Sequence, residues 1–237
     1  MNGKKLYFYD KKGLAFFLLL LFCLVGFGSF YLMATRVQGA NSPAYFHTIV
    51  IDAGHGGIDG GVIGSTTGAL ESDINLAIAL KLSDLFKEKG FNAILTRKTS
   101  AGLYGHTGAG HKKRDMRARE KIMKQSGADL FISIHQNKFS DSNRRGGQVF
   151  YKAGYEKGKQ LATVIQSQIN NLPQNGRISS ALVGDYYLLN VCPYPAVIVE
   201  CGFLSNPQDE NLLINSEYQQ KIALAIFRGA VEYLISA

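Results

Sequence analysis

Three apolar runs in this 237-residue chain each end on a side chain that can do chemistry. "HTIVIDAGH" ends at His55, "ADLFISIH" at His135 and "AVIVE" at Glu200. In open α/β sheets the ligand site lies beyond the carboxyl ends of the strands, so residues far apart in sequence converge on one rim. Glu71, the first residue of the helical stretch "ESDINLAIAL", joins them if the glycine loop after the first strand folds back over that rim. Two histidines and one carboxylate form a three-ligand zinc site with an open fourth position, the arrangement of hydrolytic zinc enzymes. A zinc ion so held lowers the pKa of bound water toward about 7 and polarises a carbonyl. A separate carboxylate must then move the proton to the leaving group. Glu200 suits that task, because ending an apolar strand desolvates it and raises its pKa.

Each of these residues also has an ordinary structural role. A histidine ending a strand is commonly just a satisfied polar group, and Glu71 is placed where the helix macrodipole favours any carboxylate. Neither H-E-x-x-H nor H-x-H occurs, so no local spacing singles out zinc. His47 begins a strand at the opposite end from the site, and His106 and His111 lie in a long loop.

The elements that must position these groups follow from periodicity. "HTIVID" (47–52) is a β-branched run stopped by glycine, a buried-strand signal. Ile74, Ile78, Leu82 and Leu85 make one helical stripe that stops at Gly90. "FNAILT" (91–96) reads as a strand, followed by a glycine-bearing loop through Lys113 and a helix carrying Met116, Ile122 and Met123. "ADLFISIH" (128–135) is another buried strand, and "GGQVFYKAG" a strand nearer an edge. Leu161, Ile165 and Ile169 mark a further helix, "AVIVECG" (196–202) the last strand, and "EYQQKIALAIFRGAVEYLI" a long final helix. Strands alternating with helices predict a single α/β domain with a largely parallel, twisted sheet and helices on both faces.

The folded domain does not account for the whole chain. Gly13 to Ala34 is an almost wholly apolar stretch of 22 residues without a charge, against the roughly 20 that cross a hydrocarbon core. Lys4, Lys5, Lys11 and Lys12 precede it, which keeps the N-terminus cytoplasmic and the remainder outside. The organisation expected is a basic tail (1–12), a transmembrane helix (13–34), a tether (35–46) and one catalytic domain (47–237). A cleaved signal peptide, cut near "VQGA", is the competing reading. Beyond residue 40 there are 21 lysines and arginines against 17 acids, a net +4 that favours anionic surfaces such as cell wall. The basic residues are not interleaved with exposed aromatics, so this is no nucleic-acid footprint. Two cysteines outside the apolar span, Cys192 and Cys201, do not make a disulfide scaffold; a single bridge or a pair of buried thiols are both open.

Four stretches together, "IDAGHGGIDGG", "ALESDINLAIAL", "LFISIHQN" and "AVIVECGFLSNPQDENLL", resemble the zinc-dependent N-acetylmuramoyl-L-alanine amidases of bacterial cell walls. The resemblance runs from about Thr48 to the final helix. It implies His55, Glu71 and His135 as ligands of one Zn2+, Glu200 as the catalytic glutamate and Asn137 as a residue near substrate. It also implies hydrolysis of the amide between the lactyl group of muramic acid and the L-alanine of the stem peptide. "LYGHTGAGHKKRDMRARE", with Asp115, Met116 and Arg119, is similar to the spore-cortex, germination-specific branch. For that branch the implied role is peptide removal, after which a deacetylase forms muramic δ-lactam; a vegetative wall role is the alternative. The basic residues Lys112 to Arg119 are either a solvated face or a grip on anionic stems, with Arg119 the substrate-side candidate. Peptidoglycan is the expected partner, with an accessory spore protein and a membrane-anchored, extracytoplasmic location. Cys201 departs from the family pattern, standing where a small or apolar residue is usual.

Two rivals remain beside this reading. A thiol hydrolase would use Cys201, but that residue follows Glu200 on a strand and so points to the opposite face. A buried thiol is a poor nucleophile. A membrane-anchored binder without activity, or one dependent on a partner, would keep the fold and the same four residues.

Overall fold

The computed structural model describes residues 47–236 and, ahead of them, residues 13, 16 and 18–24, which are helical. Among the described residues no helix is long and apolar enough to cross a membrane. Most of the expected membrane segment 13–34, and all of the tether 35–46, lie outside the described residues.

Six strands form one sheet: β1 (Thr48–Ala53), β2 (Asn92–Leu95), β3 (Leu130–Asn137), β4 (Gln148–Tyr151), β5 (Leu182–Val183) and β6 (Ala196–Phe203). Their order is β2-β1-β3-β6-β4-β5. Six helices connect or cover them: α1 (Glu71–Glu88), α2 (His111–Gln125), α3 (Glu156–Asn170), α4 (Tyr187–Val191), α5 (Pro207–Leu213) and α6 (Ser216–Ser236).

The pleat divides each central strand between two cores. Ile49, Ile51, Ile132, Ile134, Val197 and Val199 pack under α1, α3 and α6. Val50, Phe131 and Ile198 point the other way, against Met123 of α2 and Leu188 and Leu189 of α4. Helices therefore cover both faces, as the near-continuous apolar strands require. Cys201 lies in the first core and Cys192 in the second, both free, so the single bridge is ruled out.

The sheet is mixed rather than wholly parallel. β1–β2, β1–β3, β3–β6 and β4–β5 are parallel, whereas β4 runs antiparallel to β6. The alternation of strand and helix fails between β3 and β4, which only residues 138–147 connect. A parallel crossover needs a dozen or more residues, so the chain must turn back on itself there. The loop delivers β4 beside β6, with its first residue, Gln148, opposite Glu200.

Candidate metal centre and catalytic cleft

The three strand ends meet where expected. His135 and Glu200 are register partners on β3 and β6, and β1 runs beside β3 and delivers His55 just past its end. Glu71 comes from the first turn of α1, its backbone N–H donating to Val62 O at 2.9 Å, which closes the glycine loop back over the rim. Isolated pairing of Ile63 with Leu70 completes that return.

Glu71 Oε1 lies 3.3 Å from His55 Nε2 and 2.9 Å from His135 Nδ1, and the ligand atoms of all three residues fall within 4.8 Å of one another. Bonds of about 2.0 Å in a tetrahedral shell separate neighbouring ligand atoms by roughly 3.3 Å, so this donor set fits a metal ion. The supporting contacts fit as well. His55 Nδ1 is 3.0 Å from Asp59 Oδ2, which turns Nε2 toward the centre. The Gln136 N–H and Asn75 Nδ2 donate to Glu71 Oε1 at 3.1 and 3.3 Å, and the Val62 N–H donates to Oε2 at 2.8 Å. Burial alone would lower the His55 pKa, but bonds to Glu71 and Asp59 outweigh it and hold the imidazole at about 9 in the absence of metal. Burial would likewise raise Glu71, yet the two histidines keep its carboxyl far below the ordinary range.

Glycine makes this proximity affordable. A Cβ on Gly54 would come within 2.3 Å of the His135 ring, and one on Gly61 within 2.4 Å of Glu71 Oε2. His55 itself has φ 61°, a left-handed conformation that strains a residue with a side chain by about 1–3 kcal/mol.

Glu200 is buried, and its Oε2 has no hydrogen-bond partner. Burial pushes its carboxyl up to about 7; the nearby His135 opposes that rise and the Glu71 charge adds to it. A buried carboxylate oxygen left without a hydrogen-bond partner is costly. That cleft has a volume of about 690 Å³ and is lined by His55, Glu71, His135, Glu200, Lys112 and Tyr186 among others. Burial and the nearby Glu200 charge raise the Tyr186 hydroxyl to about 12.

The remaining expected residues sit elsewhere. Asn137 ends β3 and donates to Gln148 Oε1 at 3.3 Å, beside Glu200 rather than on the three-ligand cluster. Arg119 does not face open solvent at all. It is 2% exposed and spends its guanidinium on Asp52, Asp115 and two backbone carbonyls, because α2 packs that face against the end of β1. Its hydrogen bonds all go to groups inside the domain, and it lines a cavity of about 150 Å³ together with His55 and His135. His106 is exposed, and His47 pairs with Asp129 at 3.3 Å, far along β1 from the site. Sequence reasoning missed Asp59, Asn75 and Gln136. Asp59 alone had a local signal, four residues after His55 in the same glycine turn.

Residues 49–232 match the family model described as N-acetylmuramoyl-L-alanine amidase, Amidase_3. The germination-specific N-acetylmuramoyl-L-alanine amidase of Bacillus subtilis (strain 168) is 36% identical over 189 residues, covering 78% of this chain and 78% of that protein. Among solved structures, the CwlD amidase of Clostridioides difficile, in complex with the GerS lipoprotein, is 38% identical with a TM-score of 0.76, covering 81% of this chain and 100% of that one. An N-acetylmuramoyl-L-alanine amidase from Clostridium difficile 630 is 30% identical with a TM-score of 0.72, covering 82% and 99%. With its strand-end cluster and a match along the whole described domain, the chain belongs to the N-acetylmuramoyl-L-alanine amidase family, Amidase_3.

Proposed function

We propose that this amidase is zinc-dependent, with His55, Glu71 and His135 holding one Zn2+ and Glu200 serving as the proton-transfer group. The observation that carries this reading is the pairing of a three-donor cluster with a buried, unpartnered carboxylate one strand away. Zinc held there supplies Lewis acidity, acidifying water and polarising the scissile carbonyl. Glu200 accepts the proton of the attacking water and returns it to the departing L-alanine amine. A carboxyl raised to about 7 is suited to both halves of that transfer near neutral pH. Tyr186 lines the cleft with Glu200, and Asn137 donates to Gln148, which stands opposite Glu200.

The bond cut is the amide between the lactyl group of N-acetylmuramic acid and L-alanine, in spore-cortex peptidoglycan as a step toward muramic δ-lactam. Likeness to the germination-specific amidase of Bacillus subtilis supports the cortex assignment. Residues 13–34 anchor the chain in a membrane, 35–46 tether it and 47–237 act outside. The CwlD relative was solved with a lipoprotein, which supports an accessory protein as a partner here too.

The test uses the full chain, peptidoglycan and added zinc. Peptides released with a new N-terminal alanine, and none after chelation, support the reading. Release of new reducing sugar ends, or no product from chain that holds zinc with its accessory protein supplied, overturns it.

A further inference from the structure

Two buried arginines underlie the turn that carries His55. Arg97 donates from Nε to Ala53 O at 2.9 Å, and from Nη2 to Gly54 O at 3.0 Å and Ser72 O at 2.7 Å. Arg119 alone reaches His55: Nη2 donates to His55 O at 2.6 Å, and Nη1 to Ala53 O at 2.7 Å. The guanidinium is itself fixed at both ends. Nη1 also donates to Asp52 Oδ1 at 2.6 Å, and Nε to Asp115 Oδ2 at 2.6 Å. Asp52 is braced in turn by Thr96 Oγ1 and Ser133 Oγ, each at 2.7 Å.

This grip falls on a residue that would not hold its conformation unaided. His55 is left-handed without being glycine, and its Nε2 is held 3.3 Å from Glu71 Oε1. We propose that Arg119 is the positioning residue of the metal centre: its fixed guanidinium clamps the Ala53 and His55 carbonyls and so sets the left-handed turn that aims His55 Nε2. The inference rests on the zinc reading above and assigns Arg119 no contact with substrate.

The clamp also ties the centre to the long loop between β2 and α2. Asp115 Oδ1 accepts the Leu103 N–H at 2.6 Å, and Tyr104 Oη accepts the Ile58 N–H at 2.9 Å. Asp115 and Arg119, one helical turn apart, thus anchor the loop on one side and the metal-bearing turn on the other. Lysine in place of Arg119 keeps the charge but offers one nitrogen, which cannot serve Asp52, Asp115 and two carbonyls at fixed angles.

The test compares the full-length parent with Arg119→Lys, Asp115→Asn and Ile226→Val. Zinc affinity is read by competition with a chromogenic chelator, the coordination geometry by the visible spectrum of the Co2+-substituted protein, and stability by thermal melting without metal. Arg119→Lys should weaken zinc binding about ten- to hundred-fold, the range for lost supporting contacts, and alter the cobalt spectrum. Asp115→Asn, which leaves Arg119 in place but takes away the carboxylate charge and one of the two acceptor oxygens shared by its Nε and the Leu103 N–H, should show the same change in smaller measure. Ile226→Val removes a buried methylene from the core under α6 and none of the clamp's contacts, so it should lower the melting temperature while keeping parental affinity and spectrum. Parental zinc affinity and spectrum in Arg119→Lys, or in Asp115→Asn if the first variant fails to fold, overturn the proposal. So does an equal loss in Ile226→Val, which would mark the effect as general destabilisation. A parent that binds no zinc removes the zinc reading itself, and the clamp with it.

Discussion

Glu200 stands directly opposite His135 across the β3–β6 ladder, so the two side chains leave the sheet on the same face. A residue next to a metal ligand but outside the ligand set is placed to act on what the metal activates. Glu200→Gln should therefore keep about one zinc per chain and lose amidase turnover by roughly 10²–10⁴-fold, the usual worth of a general acid–base group. His135→Ala should lose the zinc as well. Metal analysis alongside peptide release separates the two, and loss of metal in Glu200→Gln would sink the assignment.

Gly54 is a second point at which the proposed metal site can be reached without altering His55, Glu71 or His135. Its missing side chain leaves room for the His135 ring, which a Cβ would meet at 2.3 Å. Gly54→Ala should displace that ring and weaken zinc binding about ten-fold, comparable with losing a supporting contact. Unchanged affinity in a chelator competition would show that β3 yields to the methyl group.

Thiol reagents should leave the enzyme active. Cys201 is buried in the core under α1, α3 and α6, and burial raises its thiol far above the ordinary range, while Cys192 is raised to about 11. Native protein treated with iodoacetamide should retain at least most of its activity, whereas chelation abolishes it. Rapid inactivation by the alkylator would revive a thiol mechanism.

Glu210 of α5 supplies a pH-dependent element of stability. Its carboxylate accepts from the Thr66 and Thr67 N–H groups at 2.7 and 2.6 Å, from Thr67 Oγ1 at 2.6 Å and from Ser65 Oγ at 3.3 Å, pinning the glycine loop before α1. Burial raises its pKa, but these bonds more than offset that and leave it depressed. A depressed carboxyl stabilises the fold fully above its unfolded value of about 4.3, and the contribution is lost as pH falls through the folded value. Glu210→Gln should lower the melting temperature by about 3 °C at pH 7, and the gap from the parent should close in acid. A gap that is constant down to pH 3 would count against the carboxylate.

What the sequence made legible was the part governed by burial and periodicity. "HTIVID", "ADLFISIH" and "AVIVE" announce strands because both their faces are covered, and their ends then assemble His55, His135 and Glu200. Glu71 opens α1, where the helix stripe that follows it puts it. The two-residue β5 and five-residue α4 carry too little periodicity to be seen. The start of α5 carries a local signal, since Asn206 caps it with its side chain ahead of Pro207 in the first turn. Arg119 shows the deeper limit. Composition reports its charge, but only packing decides whether a guanidinium meets solvent or the inside of a turn.

The reversal of β4 has a consequence for how such an enzyme can change its diet. Because β4 begins where β6 delivers Glu200, the incoming loop 138–147, and not an outgoing one, borders that side of the cleft. Lys138, at the start of this loop, already lines the cavity. Insertions, deletions and recolouring of charge in that loop can therefore remodel substrate choice while the ligand-bearing strands keep their register. The catalytic rim and its adjustable border are built from separable stretches of chain, which lets one vary under selection as the other stays still.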